Sequence, residues 1–132
     1  MASILVIDDD HAVLTTVKLL LERARHEVVV TNDGKKGLEL LQAGRFDLII
    51  VDIFMPDMDG LETMNLVHRL RPGIPIIVMS GHQFQSGSYP PPDFLGMATR
   101  LGAIHGLKKP FKPRDLLGAV ADCLPNAKNL AS

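Results

Sequence analysis

Asp8, Asp9, Asp52, Ser80 and Lys109 share one property: each follows a short apolar run just where it stops. Ile4 to Ile7 ends in Asp8, Asp9 and Asp10. Leu48 to Val51 ends in Asp52, Ile74 to Met79 in Ser80 and Gly81, and the run around Ile104 to Lys108 in Lys109 and Pro110. A carboxylate in such a place is costly to bury without a cation or hydrogen-bond donors. Three carboxylates brought together raise one another's pKa unless a cation joins them. A hard divalent ion suits such a group, and Mg²⁺ in particular takes one or two carboxylates, several waters and a phosphate oxygen. Lys109 adds a point charge suited to phosphate, and the Ser80 hydroxyl can donate to another phosphoryl oxygen. The set matches an in-line phosphoryl transfer in which Asp52 is the nucleophile and becomes an aspartyl phosphate.

Parallel strands are what would deliver these residues to one place, because they share a C-terminal edge. The apolar runs are short, rich in β-branched residues and free of alternation, as expected for strands buried on both faces of a parallel sheet. Between them the spacing turns helical. Val13, Val17, Leu20, Leu21 and Ala24 fall on one face of a first helix that Asp10 is placed to cap. A strand over Val28 to Thr31 and a turn at Asn32, Asp33 and Gly34 precede a second helix, anchored by Leu38 and Leu41 and stopping near Gly44.

After Asp52, Met55 and Pro56 break the chain and Asp57, Asp59 and Gly60 turn it. Leu61, Met64, Val67 and Leu70 line a third helix, ended by Arg71, Pro72 and Gly73. The stretch after Gly81 reads as loop to about Asp93, stiffened by Pro90, Pro91 and Pro92. A fourth helix is expected from about Asp93 to Leu101. A fifth begins at Pro113 and carries Leu116, Leu117, Val120 and Leu124. Five strands alternating with five helices predict a doubly wound parallel sheet with ligands at the strands' C-terminal rim.

With 132 residues the chain fits one domain, expected over residues 1–124 with a polar tail at 125–132. A net charge of -1 and a pI near 6.5 give no electrostatic case for nucleic acid or an anionic membrane as main partner. The single Cys123 excludes an internal disulfide and suits a reducing cytosol; as a packing residue it belongs in the core of the last helix. The N-terminus has no basic segment and its apolar run is too short for a signal peptide or a membrane span, so a cytoplasmic protein is expected.

Plainer roles exist for these residues. Asp8 and Asp9 could cap the first helix, Lys109 could be surface charge, and Ser80 a strand-end hydroxyl; the presence of Asp52 on the same edge argues for the joint site. Asp57, Asp59 and Gly60 fail as a calcium loop, since Gly60 at the sixth position puts Met55 first and Leu66 twelfth. His82, two positions past Ser80, could affect water at the phosphoryl group. His11, His26 and His68 read as surface or helix residues, and Met55, Met64 and Met79 as packing.

Taken together, ILVIDDD, DLIIVDIFMPDMDG, IIVMSG and GLKKPF resemble the receiver domains of two-component response regulators, the CheY-like family, from Ala2 to about Leu124. The resemblance implies a flavodoxin-like sheet of order 2-1-3-4-5. It implies Asp52 as phospho-acceptor, and Mg²⁺ held by Asp8, Asp9, Asp52 and the Phe54 carbonyl, with Asp9 the more direct ligand of the first two. Ser80 and Lys109 would bind the phosphoryl group, and the Lys109–Pro110 bond would be cis. The implied partners are a sensor histidine kinase or a histidine phosphotransfer protein, and an output protein reached by altered protein–protein contacts.

Two departures from the family pattern concern the switch. Gly106 stands where receivers commonly carry an aromatic three positions before the motif lysine. The segment between Ser80 and Gly102 is longer than usual and holds the Tyr89 to Pro92 insertion, which with Phe84 could report phosphorylation by changing its own order. Two other functions compete. A haloacid-dehalogenase-type phosphatase also uses Asp, Ser or Thr, Lys and Mg²⁺, yet its D-x-D-x-[TV] pattern fails where His11 is followed by Ala12. A degenerate receiver would bind partners regardless of phosphorylation; Gly106 favours it and the full acidic set opposes it. No external substrate turnover is expected.

Overall fold

The computed structural model describes residues 2–52, 60–80 and 103–124. The elements follow in the order β1 (Ser3–Ile7), α1 (His11–Arg23), β2 (Glu27–Thr31), α2 (Gly34–Ala43), β3 (Leu48–Asp52), α3 (Gly60–Leu70), β4 (Ile76–Ser80), β5 (Ala103–Lys108) and α4 (Pro113–Cys123). The helix expected over Asp93 to Leu101 lies outside the described residues. All strand pairs are parallel, in the expected order β2-β1-β3-β4-β5.

The period of two in each strand divides the apolar residues between two layers. Ile4, Val6, Leu48, Ile50, Ile77, Met79 and Leu107 pack with Leu14, Val17 and Leu21 of α1 and Leu116, Val120 and Cys123 of α4. Leu5, Ile7, Ile49, Val51, Ile76 and Val78 pack with Leu41 of α2 and with Met64 and Val67 of α3. The residues of β3 and β4 are buried throughout, which is why their sequences are continuously apolar up to the last residue of each, Asp52 and Ser80. Each fully buried aliphatic side chain contributes about 1.5–3 kcal/mol relative to an exposed one. On the second layer α2 approaches β1 so closely that a Cβ on Gly37 would lie 2.8 Å from Ile7 Cγ1 and nearer still to Ile7 Cδ1.

Three local features differ from expectation. The buried stripe of α1 is Leu14, Val17 and Leu21, with Val13 and Leu20 half-buried at its margins; Ala24 is exposed, because it is the C-cap and the chain is already leaving the helix. Strand β4 starts at Ile76 instead of Ile74. The Ile74 N–H closes a turn onto the Arg71 carbonyl (3.1 Å), and Pro75 has no N–H to give, although its carbonyl accepts from Ile49 (3.2 Å). Gly34 belongs to α2, whose N-cap is Asp33. Gly44 does end that helix, but in extended backbone (φ −119°).

The left-handed helix stop is found after α1, at Arg25 (φ 72°). There His26 N–H bonds Leu21 O (3.1 Å) and Arg25 N–H bonds Glu22 O (2.9 Å), the paired arrangement that usually carries glycine. Helix α4 begins as expected with Pro113 in its first turn. The Asp115 carboxylate accepts from the Lys112 N–H (3.1 Å) in front of it.

Candidate functional site

Register brings two charged residues to one spot, and a long side chain adds a third. Ile7 pairs with Val51, so Asp8 and Asp52 stand side by side one residue further on. Each continues an apolar stripe of the α1/α4 layer: Ile4, Val6, Asp8 on one strand and Leu48, Ile50, Asp52 on the other. Lys109 continues the Leu107 parity of β5 two strands away, and its long stem spans the gap. The Lys109 Nζ lies 2.7 Å from Asp8 Oδ2 and 3.0 Å from Asp52 Oδ2. Its backbone is fixed as well, with Lys109 N–H donating to Ser80 O (2.7 Å) and a cis bond to Pro110, as expected.

The aspartates of the first motif divide their work. Asp8 is wholly buried, with Oδ2 against the Lys109 ammonium and Oδ1 accepting the Asp10 N–H (2.9 Å); its own N–H bonds Thr31 O (3.2 Å) on β2. Asp10 caps α1, its Oδ1 accepting from Ala12 (2.9 Å) and Val13 (3.4 Å). Helix capping is therefore the task of Asp10, and Asp8 and Asp9 are not needed for it. Asp9 is exposed, yet one carboxylate oxygen each from Asp8, Asp9 and Asp52 lie within 4.8 Å of one another.

The electrostatics follow from this crowding. Burial is the main force on Asp8, opposed by its hydrogen bonds from Lys109 and the Asp10 N–H and helped by the charge of Asp52; the net effect pushes its pKa up to about 6. Burial alone would lower the pKa of Lys109. Its hydrogen bonds to Asp8 and Asp52 outweigh that and raise it, so the ammonium is held charged. Three carboxylates against one ammonium leave two negative charges in excess, the charge of one divalent cation. Hard oxygen donors gathered in this way are the kind that hold a divalent cation such as Mg²⁺.

The structure thus gathers Asp8, Asp9, Asp52 and Lys109. Ser80 is buried at the end of β4, in register with Lys108, and shares the parity of Ile76 and Val78 on the other layer. Phe54, His82, Phe84 and the Tyr89 to Pro92 insertion lie outside the described residues, as do Met55, Pro56, Asp57 and Asp59. Gly106 is exposed and borders an open groove of ≈ 500 Å³ between β5 and α4, away from the acidic cluster. His105, on the same groove, lies 3.3 Å from Asp122 of α4. The link from the Asp10 N–H to Asp8 is absent from the sequence-based expectations; an Asp two residues before a helix cap is its signal in the sequence. Among the described residues no helix is long and apolar enough to cross a membrane.

Comparison with known proteins agrees with this geometry. The family model for the response regulator receiver domain matches residues 4–121. The two-component response regulator ARR10 of Arabidopsis thaliana is 35% identical over 115 residues, covering 86% of this chain and 19% of that protein. The DNA-binding transcriptional regulator NtrC of Azospirillum brasilense is 35% identical over 123 residues, covering 93% of this chain and 24% of that protein. The chain thus spans about a fifth to a quarter of the length of these curated relatives. Among solved structures, a CheY-like receiver domain protein from Methanospirillum hungatei superposes with a TM-score of 0.85 at 32% identity, covering 98% of both chains. The chemotaxis protein CheY4 of Vibrio cholerae gives 0.81 at 31% identity, covering 94% of this chain and 99% of that one. These matches give the phosphatase reading no support. A five-stranded sheet in this order, with an acidic cluster and a lysine at its C-terminal rim, and a family match over 4–121, make the chain a member of the response regulator receiver domain family of two-component systems.

Proposed function

We propose that Asp52 is the phospho-acceptor of this receiver and that it takes its phosphoryl group from a phosphohistidine on a sensor histidine kinase or a histidine phosphotransfer protein. The observation that carries the reading is the Lys109 ammonium lying between Asp8 and Asp52 beside the exposed Asp9. An Asp52 carboxylate oxygen attacks phosphorus in line, the N–P bond of the phosphoimidazole breaks as the O–P bond forms, and the ring nitrogen leaves with the electron pair. Lys109 then exchanges a carboxylate oxygen for a phosphoryl oxygen, keeping its charge paired, and Ser80 donates to another. Asp8, Asp9, Asp52 and the Phe54 carbonyl hold Mg²⁺. When bound, the ion neutralises charge on the transferring phosphoryl group.

In this reading residues 1–124 form the receiver, followed by the tail at 125–132, in a cytoplasmic protein. The chain catalyses only its own phosphorylation and dephosphorylation, and passes the signal on by changing its contacts with an output protein. This segment itself makes no direct contact with nucleic acid, in keeping with a net charge of -1. Intact-mass spectrometry after incubation with Mg²⁺ and acetyl phosphate tests the chemistry. A single phosphoryl adduct is expected, lost in Asp52→Asn and after chelation of the metal. An adduct of equal yield in Asp52→Asn refutes the assignment.

A further inference from the structure

We propose that Asp10 is a positioning residue for the metal-binding carboxylates: by capping α1 with its side chain it holds its own backbone N–H against Asp8 and keeps the three successive aspartates pointing to three different tasks. This inference rests on the reading that Asp8 and Asp9 hold Mg²⁺.

The geometry is a relay of two turns built on one residue. Asp8 Oδ1 accepts from the N–H two residues ahead (2.9 Å), and Asp10 Oδ1 in turn accepts from the N–H two residues ahead of it (2.9 Å), with Val13 N–H at 3.4 Å. Asp10 O also accepts from Leu14 N–H (3.0 Å), so both its carbonyl and its side chain are tied to the first turn of α1. Its backbone is extended (φ −92°, ψ 109°), as a cap requires. That fixed peptide is what aims the N–H back at Asp8, whose other oxygen belongs to Lys109 (2.7 Å). With both oxygens of Asp8 held, the intervening Asp9 is the one left exposed at the crevice mouth, within 4.8 Å of its two neighbours. Partners that orient metal-binding carboxylates without touching the ion typically account for 10- to 100-fold in metal affinity.

The chain contains its own control. Asp33 caps α2 in the same manner, its Oδ1 accepting from the Lys35 N–H at 2.9 Å, but its N–H goes to Thr31 Oγ1 (3.2 Å) and not to a carboxylate of the cluster. Losing either cap weakens one helix end; only one of them releases Asp8.

The test is calorimetric titration of the intact chain with Mg²⁺ for wild type, Asp10→Ala, Asp10→Ser and Asp33→Ala, together with amide exchange at residue 10 in the metal-free protein. Asp10→Ala is expected to bind Mg²⁺ about tenfold more weakly and to lose protection of the residue 10 amide. Asp10→Ser, which caps without a charge, should stay within about twofold of wild type, and Asp33→Ala should bind as wild type does. Wild-type affinity in a folded Asp10→Ala overturns the proposal. So does equal weakening in Asp10→Ser, which would make the charge of Asp10, and not its cap, the active feature. A wild-type chain that takes up no Mg²⁺ overturns the metal reading and this inference together, a result distinct from either of the others.

Discussion

The two rims of the sheet both carry polar side chains, and they use them in opposite ways. At the N-terminal rim, among the described residues, three such groups are matched to backbone. The Asp47 carboxylate accepts from Ser3 N–H (2.8 Å), His26 Nδ1 accepts from Ala2 N–H (3.3 Å), and the Arg71 guanidinium donates to Leu70 O (3.1 Å), Gly44 O (3.2 Å) and Gln42 O (3.4 Å). At the C-terminal rim Asp10 and Asp33 also accept from backbone, but there Lys109 lies against both Asp8 and Asp52, under burial, with negative charge to spare. The first arrangement closes a structure. The second keeps a charge imbalance that a cation and a phosphoryl group can resolve. A ligand of the acidic cluster should therefore change the response of one rim to mutation and leave the other untouched.

The largest effect of this kind is expected for Lys109→Met. Removing one partner of a buried ion pair typically costs about 3–5 kcal/mol, because the remaining charges stay buried without compensation. Here the lysine is slightly solvent-exposed, so about 3 kcal/mol is expected in the metal-free protein. Saturating Mg²⁺ should recover much of that loss by binding the folded state alone. Urea denaturation with and without Mg²⁺ reads both quantities. A loss below about 1 kcal/mol would mean that the cluster is far better solvated than its burial implies.

Arg71→Met is the matching change at the other rim. The guanidinium joins the end of α3 to the last carbonyls of α2, so its removal should cost about 1–2 kcal/mol. The same titrations should show Mg²⁺ affinity and phosphoryl uptake unchanged. An altered rate of phosphoryl uptake would break the division between the rims.

Much of this division could be read before the fold was known, and the reason is the period of two. Asp8, Asp52 and Lys109 each follow an apolar strand, and parallel strands bring such residues to one edge whatever else the chain does. What the sequence concealed was set by single backbone conformations. Ala24 has the spacing of a core residue but sits at a helix end. Strand β4 loses its first residues to a turn at Arg71, and Leu14 rather than Val13 lies in the buried stripe of α1. The hidden link from Asp10 N–H to Asp8 belongs to the same class. Residue type reports side-chain chemistry directly, and a backbone donor only through the spacing of its acceptor, here an Asp two residues before the cap.

The left-handed Arg25 is another such conformation, and it lies on the N-terminal side of the molecule. A non-glycine residue pays a steric cost in this region that glycine avoids, partly offset by the greater chain entropy glycine loses on folding. Arg25→Gly should therefore stabilise the protein by about 0.5 kcal/mol, with phosphoryl uptake unchanged. Thermal melts of the two proteins decide it, and a lower melting temperature for Arg25→Gly would show that the arginine side chain contributes more than its backbone costs.

The smallest expected effect distinguishes the rims by the sign of a pH dependence. Burial of the His26 ring, helped by the positive charge of the chain's amino terminus, lowers its pKa below the ordinary 6.5. The unfolded chain then takes up a proton first as the pH falls. Stability from this group is complete above 6.5, drains away as the pH drops towards the folded-state pKa, and is constant below it. Asp8 has the opposite sign: its pKa is raised from 3.8 to about 6, so its contribution is complete below 3.8 and is lost as the pH rises through that interval. Subtracting the stability profile of His26→Gln from that of the wild type cancels the Asp8 term. The remaining difference should fall as the pH drops below 6.5 and be insensitive to Mg²⁺. A difference that rises on acidification would mean that the imidazolium is stabilised in the fold, and that this rim, like the other, is built around a charge.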